Sequence, residues 1–217
     1  MKRKELFARV AEYFKEHNPE PETELTYDSP FQLLIAVMLS AQCTDSRVNM
    51  VTPALFEAFP TPDALAAAEP EDVFPFIRSI SYPNNKSKHL VNMTRMLMND
   101  FNGQIPATSE GLQKLPGVGR KTANVVASVV YDEPTMPVDT HVFRVANRIG
   151  LAKRAKTPRH VEDQLNKHVP ETMRHNFHHW LILHGRYICK ARRPLCQQCG
   201  LTDVCEYYLK TIKPGNQ

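Results

Sequence analysis

Long apolar stretches are missing from this 217-residue chain. The longest uninterrupted one, Leu33 to Leu39, is seven residues, against the ~20 that a membrane helix needs. The first eighteen residues carry charges throughout, without an apolar core or a small-residue cleavage site, so no secretory leader and no membrane partner are expected. Only one cysteine, Cys43, lies outside the interval Cys189–Cys205. A disulfide framework of the secreted kind is therefore not expected, and the expected location is the cytoplasm. Glycine is scarce, 8 residues against 17 prolines, and apolar–polar alternation of period two is nearly absent, which argues against half-buried strands. Acidic residues are scarce at one end only. Residues 141–217 hold 5 Asp and Glu against 14 Lys and Arg, whereas residues 1–140 hold 18 against 13. A basic final third suits a polyanionic partner, nucleic acid first, although a merely solvated basic face would look the same.

What is present is helical. Three Ser/Thr–Pro pairs, Ser29–Pro30, Thr61–Pro62 and Thr157–Pro158, fit a capping hydroxyl followed by proline at the first helical position, where the missing N–H costs nothing. Further helices are predicted over 4–17, 31–41, 70–79, 120–131, 140–149, 158–168 and 172–188. Asp45 is expected to cap a helix running toward Phe59 that Pro53 bends or splits. Asn85–Asn102 reads as an amphipathic helix stopped by Gly103, and Ser109 is expected to cap a short helix ending at Leu115. The β-branched residues between Val125 and Val130 are interrupted by Ala127 and Ser128, and read as a helix buried on most sides. The fold class is all-α.

The most informative string is Leu115-Pro-Gly-Val-Gly-Arg-Lys-Thr-Ala123. Pro-Gly-Val-Gly between two helices permits a hairpin, because glycine tolerates positive φ and close backbone approach. Gly117, Gly119 and Arg120 would then offer backbone N–H groups, a cation and the positive end of a helix dipole to one phosphate. A plain turn between helices is the alternative. Lys121 opens the second helix, where the dipole, helped by partial burial, favours the neutral amine that can attack a sugar carbon. Asp139, in Pro137-Val-Asp-Thr-His-Val-Phe-Arg-Val145, could accept a proton and stabilise developing positive charge, or simply cap a helix. The cysteines are spaced Cys189-x6-Cys196-x2-Cys199-x5-Cys205. Four thiols so close together point to metal, and the spacing alone leaves zinc and an iron–sulfur cluster open. Lys190, Arg192 and Arg193 lie on the loop between the first two of these cysteines, where they could clamp phosphate.

Together with His178-His-Trp-Leu-Ile-Leu-His-Gly-Arg186 and Leu39-Ser-Ala-Gln42, these motifs resemble those of the endonuclease III family, helix-hairpin-helix DNA glycosylases. The resemblance runs from about Tyr27 to Tyr207. It implies a two-domain fold, with a helical domain over 23–133 holding the hairpin. Residues 1–22 plus 134–217 would form a second domain with a C-terminal iron–sulfur loop. It also implies removal of oxidised or ring-saturated pyrimidines from double-stranded DNA, followed by β-elimination at the abasic site. Lys121 would be the nucleophile and Asp139 its partner. Cys189, Cys196, Cys199 and Cys205 would hold a [4Fe–4S] cluster, in a chromosome-associated monomer. Gln42 would fill the gap left by an extruded base, and His141 would help shape the DNA site. The family pattern of glycine, apolar wedge and aromatic is replaced here by Ser81-Tyr82-Pro83, which makes Tyr82 the candidate wedge. Other readings are a monofunctional adenine or mismatch glycosylase, against which Lys121 speaks, and a non-catalytic iron–sulfur DNA-binding protein, against which the Lys121/Asp139 pair speaks. His178, His179 and His184 are read as core or helix-surface residues.

Overall fold

The computed structural model describes residues 1–212, and among these there are helices and no strand. In chain order the α-helices are α1 (Arg3–His17), α2 (Pro30–Leu39), α3 (Asp45–Ala58), α4 (Pro62–Ala67), α5 (Pro70–Ile77), α6 (Pro83–Phe101), α7 (Ser109–Leu112), α8 (Arg120–Tyr131), α9 (Thr140–Ile149), α10 (Pro158–Asn166) and α11 (Arg174–Tyr187). They fall into two compact units, Glu24–Glu133 and Met1–Thr23 with Pro134–Gln217.

In the continuous unit, α2 is the buried centre. Every residue from Leu33 to Leu39 is buried, as a helix apolar on all sides requires, and it packs against α3, α6 and α8. The run Val125–Val130 lies within α8, whose buried Ala123, Val126 and Ala127 join that core, so helix is confirmed over strand. In the discontinuous unit, α9 packs on α11 and α10. Helix α1 joins the same core through Phe14 stacked on Trp180 at 5.8 Å and Phe7 on Phe177 at 6.1 Å. The Trp180 indole N–H donates to the carbonyl of Asn18 (2.6 Å).

The three hydroxyl–proline starts are as expected: Ser29, Thr61 and Thr157 accept from Gln32, Ala64 and His160 N–H. Elsewhere the caps differ by one residue. Thr44, not Asp45, caps α3, and Thr108, not Ser109, caps α7. In each pair both residues can cap, and the one left over serves as the first helical residue. Pro53 does not split α3, which is continuous to Ala58. Helix α7 ends at Leu112 rather than Leu115, and the chain passes through turns to the hairpin. Helix α6 starts at Pro83, two residues before the expected Asn85, because proline suits its first position while Tyr82 turns into the left-handed region (φ 57°). Its stop begins one residue early, with Asn102 left-handed ahead of Gly103.

Candidate functional site

The hairpin between α7 and α8 is built from two glycines with different duties. Gly117 is left-handed (φ 78°), and a Cβ there would lie 2.7 Å from the His89 side chain, so both conformation and space demand glycine. Gly119 has an ordinary φ of −84° and meets nothing within 4 Å of an added Cβ. Its missing side chain serves no packing need and leaves the backbone open to close approach. Gly119 is also the N-cap of α8, so no N-cap side chain bonds the first-turn amides at the positive end of the helix dipole. Arg120 and Lys121 occupy that first turn and are exposed. The partial burial expected of Lys121 is absent.

In the same unit Gln42 and Tyr82 are both exposed and both left-handed, with φ of 56° and 57°. Their segments touch, since the Ser81 hydroxyl donates to the Gln42 carbonyl (2.6 Å). Non-glycine residues in this region cost on the order of 1–3 kcal/mol each and cluster at functional sites.

Asp139 belongs to the other unit. It caps α9, with Oδ1 accepting from Val142 N–H at 2.7 Å, and is half-buried. His141 is packed against α11, where a Cβ on Gly185 would lie 2.9 Å from the His141 Cβ. Its Nδ1 lies 3.1 Å from Arg144 Nη2.

Cys189, Cys196, Cys199 and Cys205 line one small cavity together with Ile149 and His184. Four thiols around one shared space suit a cluster bound by four cysteines. Burial pushes the Cys199 thiol up to about 11 and raises Cys196 and Cys205 as well, with neighbouring cysteines adding to the rise. Thiols raised in this way are held as thiolates only where a bound cation compensates their charge.

Two groups around these thiols were not visible as site residues in the sequence. Arg148 lies with Nη1 3.5 Å from Cys189 Sγ, donates to the carbonyls of Lys190 (2.7 Å) and Ala191 (3.0 Å), and stacks on Tyr207. His184, read as a core residue and indeed buried, has Nε2 3.6 Å from Cys199 Sγ, and burial holds its imidazolium down to about 4. Arg144 adds a bond to the Cys189 carbonyl (3.0 Å). With these carbonyls taken up by arginines, Lys190, Arg192 and Arg193 are all exposed. Helix α1 closes the other side, as Arg9 donates to the Gly200 carbonyl (2.8 Å), and a Cβ on Gly200 would lie 2.5 Å from Tyr13.

Residues 35–171 match the HhH-GPD superfamily of base excision DNA repair proteins, which sets the class of the fold and hairpin. Residues 189–205 match the iron–sulfur binding domain of endonuclease III, a segment that begins at Cys189 and ends at Cys205. The chain is 47% identical over 204 residues to endonuclease III of Rickettsia conorii, covering 94% of this chain and 97% of that one. It is 46% identical to endonuclease III of Escherichia coli K12, covering 95% of each. A solved structure of a trapped endonuclease III–DNA covalent intermediate, an estranged-adenine complex, superposes with a TM-score of 0.92 at 41% identity, covering 98% of this chain and all of that one. The chain belongs to the endonuclease III family, and the [4Fe–4S] cluster of that family is its cofactor.

Proposed function

We infer that this chain, a base excision repair DNA glycosylase and abasic-site lyase of the endonuclease III family, removes oxidised or ring-saturated pyrimidines from duplex DNA with Lys121 as nucleophile. The observation that carries the reading is Lys121 itself, exposed in the first turn of α8, two residues after the open Gly119. The chain is moreover 41% identical to a protein trapped as a covalent intermediate with DNA, and such an adduct needs an enzyme nucleophile. The Lys121 amine attacks the sugar C1′ as the C1′–base bond breaks, and Asp139 stabilises the positive charge developing on the ring. Loss of a proton from nitrogen and opening of the sugar give a Schiff base. Removal of a C2′ proton then expels the 3′ phosphate by β-elimination, and water releases the enzyme.

DNA recognition falls to groups from both units. Gly117, Gly119 and Arg120 hold a phosphate at the start of α8, and Lys190, Arg192 and Arg193 add contacts from the cysteine loop. Gln42 and Tyr82 fill the gap left by the extruded nucleotide, and His141 shapes the site near Asp139. Cys189, Cys196, Cys199 and Cys205 hold the cluster in a structural role, keeping that loop in shape. The protein works as a monomer, in the cytoplasm with the chromosome.

Borohydride reduction tests the reading. The expected result is a covalent enzyme–DNA adduct mapped to Lys121, absent from Lys121→Ala while DNA affinity is largely kept. An adduct on another residue overturns the assignment.

A further inference from the structure

One charged side chain outside the proposed chemistry is buried in the hairpin unit: Lys86, only 9% exposed. It stands in the first turn of α6, four residues after Tyr82, yet its ammonium reaches back to α2, donating to the carbonyls of Leu39 (2.8 Å) and Ala41 (2.7 Å). Leu39 is the last residue of α2, where carbonyls lack intrahelical partners and the helix dipole is negative, so an ammonium there answers both needs. Desolvation holds the Lys86 ammonium below the ordinary lysine range, partly opposed by Cys43. Two carbonyl bonds compensate that burial. Beyond Leu39 the chain turns through Ser40, whose carbonyl accepts from Cys43 N–H (3.0 Å), with Gln42 left-handed at the corner. A second tie is made from the far side, by the Ser81 hydroxyl on the Gln42 carbonyl (2.6 Å).

The strained Gln42 turn is thus tied by two groups from the segment that carries the strained Tyr82. Left-handed non-glycine residues persist where their surroundings over-determine them, and around Gln42 those surroundings include one ammonium and one hydroxyl, from residues four after and one before Tyr82 in sequence. We propose that Lys86 and Ser81 are positioning residues that lock the Gln42 turn to the Tyr82 turn, so that the two side chains enter the duplex as a single prearranged pair. This rests on the reading of Gln42 and Tyr82 as the gap-filling residues. Holding both in place before DNA arrives removes an ordering cost at the step in which the base leaves the stack. Glycine at position 81 could make the same turn, but it has no hydroxyl with which to hold Gln42.

The test compares single-turnover excision of a saturated pyrimidine from fully paired duplex and from a duplex in which the lesion is already unpaired in a bubble. Base extrusion is followed in parallel by 2-aminopurine fluorescence next to the lesion. Ser81→Ala and Lys86→Met are expected to slow excision and extrusion on paired duplex by about tenfold, as loss of positioning does, and to change excision on the bubble by less than about twofold. Ser81→Thr, which keeps the hydroxyl, is expected to restore the paired-duplex rate. If Lys86→Met does not fold, the serine pair decides. Equal slowing on both substrates overturns the proposal, because it indicates general damage to the fold. Tyr82→Ala and Gln42→Ala serve as reference variants. Paired-duplex slowing in those two but not in the serine and lysine variants sinks the lock and leaves the gap-filling reading standing. If the reference variants show no slowing, the gap-filling reading falls and takes the lock with it.

Discussion

Asp139 shows how a single carboxylate can hold two jobs that substitution separates. Its Oδ1 caps α9 by accepting from Val142 N–H, and its negative charge is what the proposed chemistry uses. Asparagine caps about as well as aspartate, so Asp139→Asn is expected to keep thermal stability within a few tenths of a kcal/mol, while alanine costs about 1 kcal/mol. Excision is expected to fall by about a hundredfold or more in both variants, since both lose the charge. Single-turnover rates read beside melting curves check this, and a fully active asparagine variant would leave Asp139 with capping alone. His179 offers a second test at this scale. Burial, with the charges of His178, His175 and Arg186 adding to it, holds its imidazolium down to about 2. The unfolded chain binds that proton near pH 6.5, so the stability contribution is complete above that pH and is lost as pH falls from about 6.5 toward 2. Urea unfolding between pH 7.5 and 5 is expected to show stability dropping with acid, at up to about 1.4 kcal/mol per pH unit for this one proton. His179→Gln is expected to flatten that slope.

Among the elements, most helices were legible because their ends are written in local chemistry. Ser29–Pro30, Thr61–Pro62 and Thr157–Pro158 each combine a capping hydroxyl with a fixed φ, and no tertiary contact is needed to read them. At Thr44/Asp45 and Thr108/Ser109 the cap lies one position from the expected one because adjacent residues compete for it, and local sequence does not choose between them. The candidate site divides in the same way. Lys121 and Asp139 stand out because their strings resemble those of the endonuclease III family, and the cysteines because four thiols fall within 17 residues. Lys86 and Arg148 do not, because the groups they satisfy are main-chain carbonyls 45 or 47 residues away for the lysine and 42 or 43 for the arginine. A carbonyl has no residue type, so no pattern of letters announces a side chain that binds one. The left-handed turn at Tyr82 was hidden for a related reason, since glycine is the usual signal of positive φ and tyrosine carries none.

For the molecule as a whole, the basic final third has a structural expression. Arg144 and Arg148 turn inward on the loop carbonyls, while Lys190, Arg192 and Arg193 stay exposed. Triple replacement of the exposed three by alanine is expected to weaken DNA binding and make its salt dependence shallower. The slope of log affinity against log salt should lose about 0.9 for each phosphate contact removed. Titrations at several salt concentrations measure this, and an unchanged slope would place these cations away from the phosphates. The division of the chain has a further consequence, for its birth on the ribosome. Glu24–Glu133 is one continuous segment and can close its core as soon as it has emerged. Helix α1 is made earlier but must wait, since Asn18 meets Trp180 and Arg9 meets Gly200 only after sequence separations of 162 and 191 residues. Throughout that wait the apolar face of Phe7, Val10 and Phe14 is without its native cover. Cys205, the last of the four thiols, emerges later still, and a nascent chain that stalls before Phe177 would present a finished hairpin unit and an orphaned first helix. Such a truncated chain is a natural client for chaperones and a natural target for proteolysis.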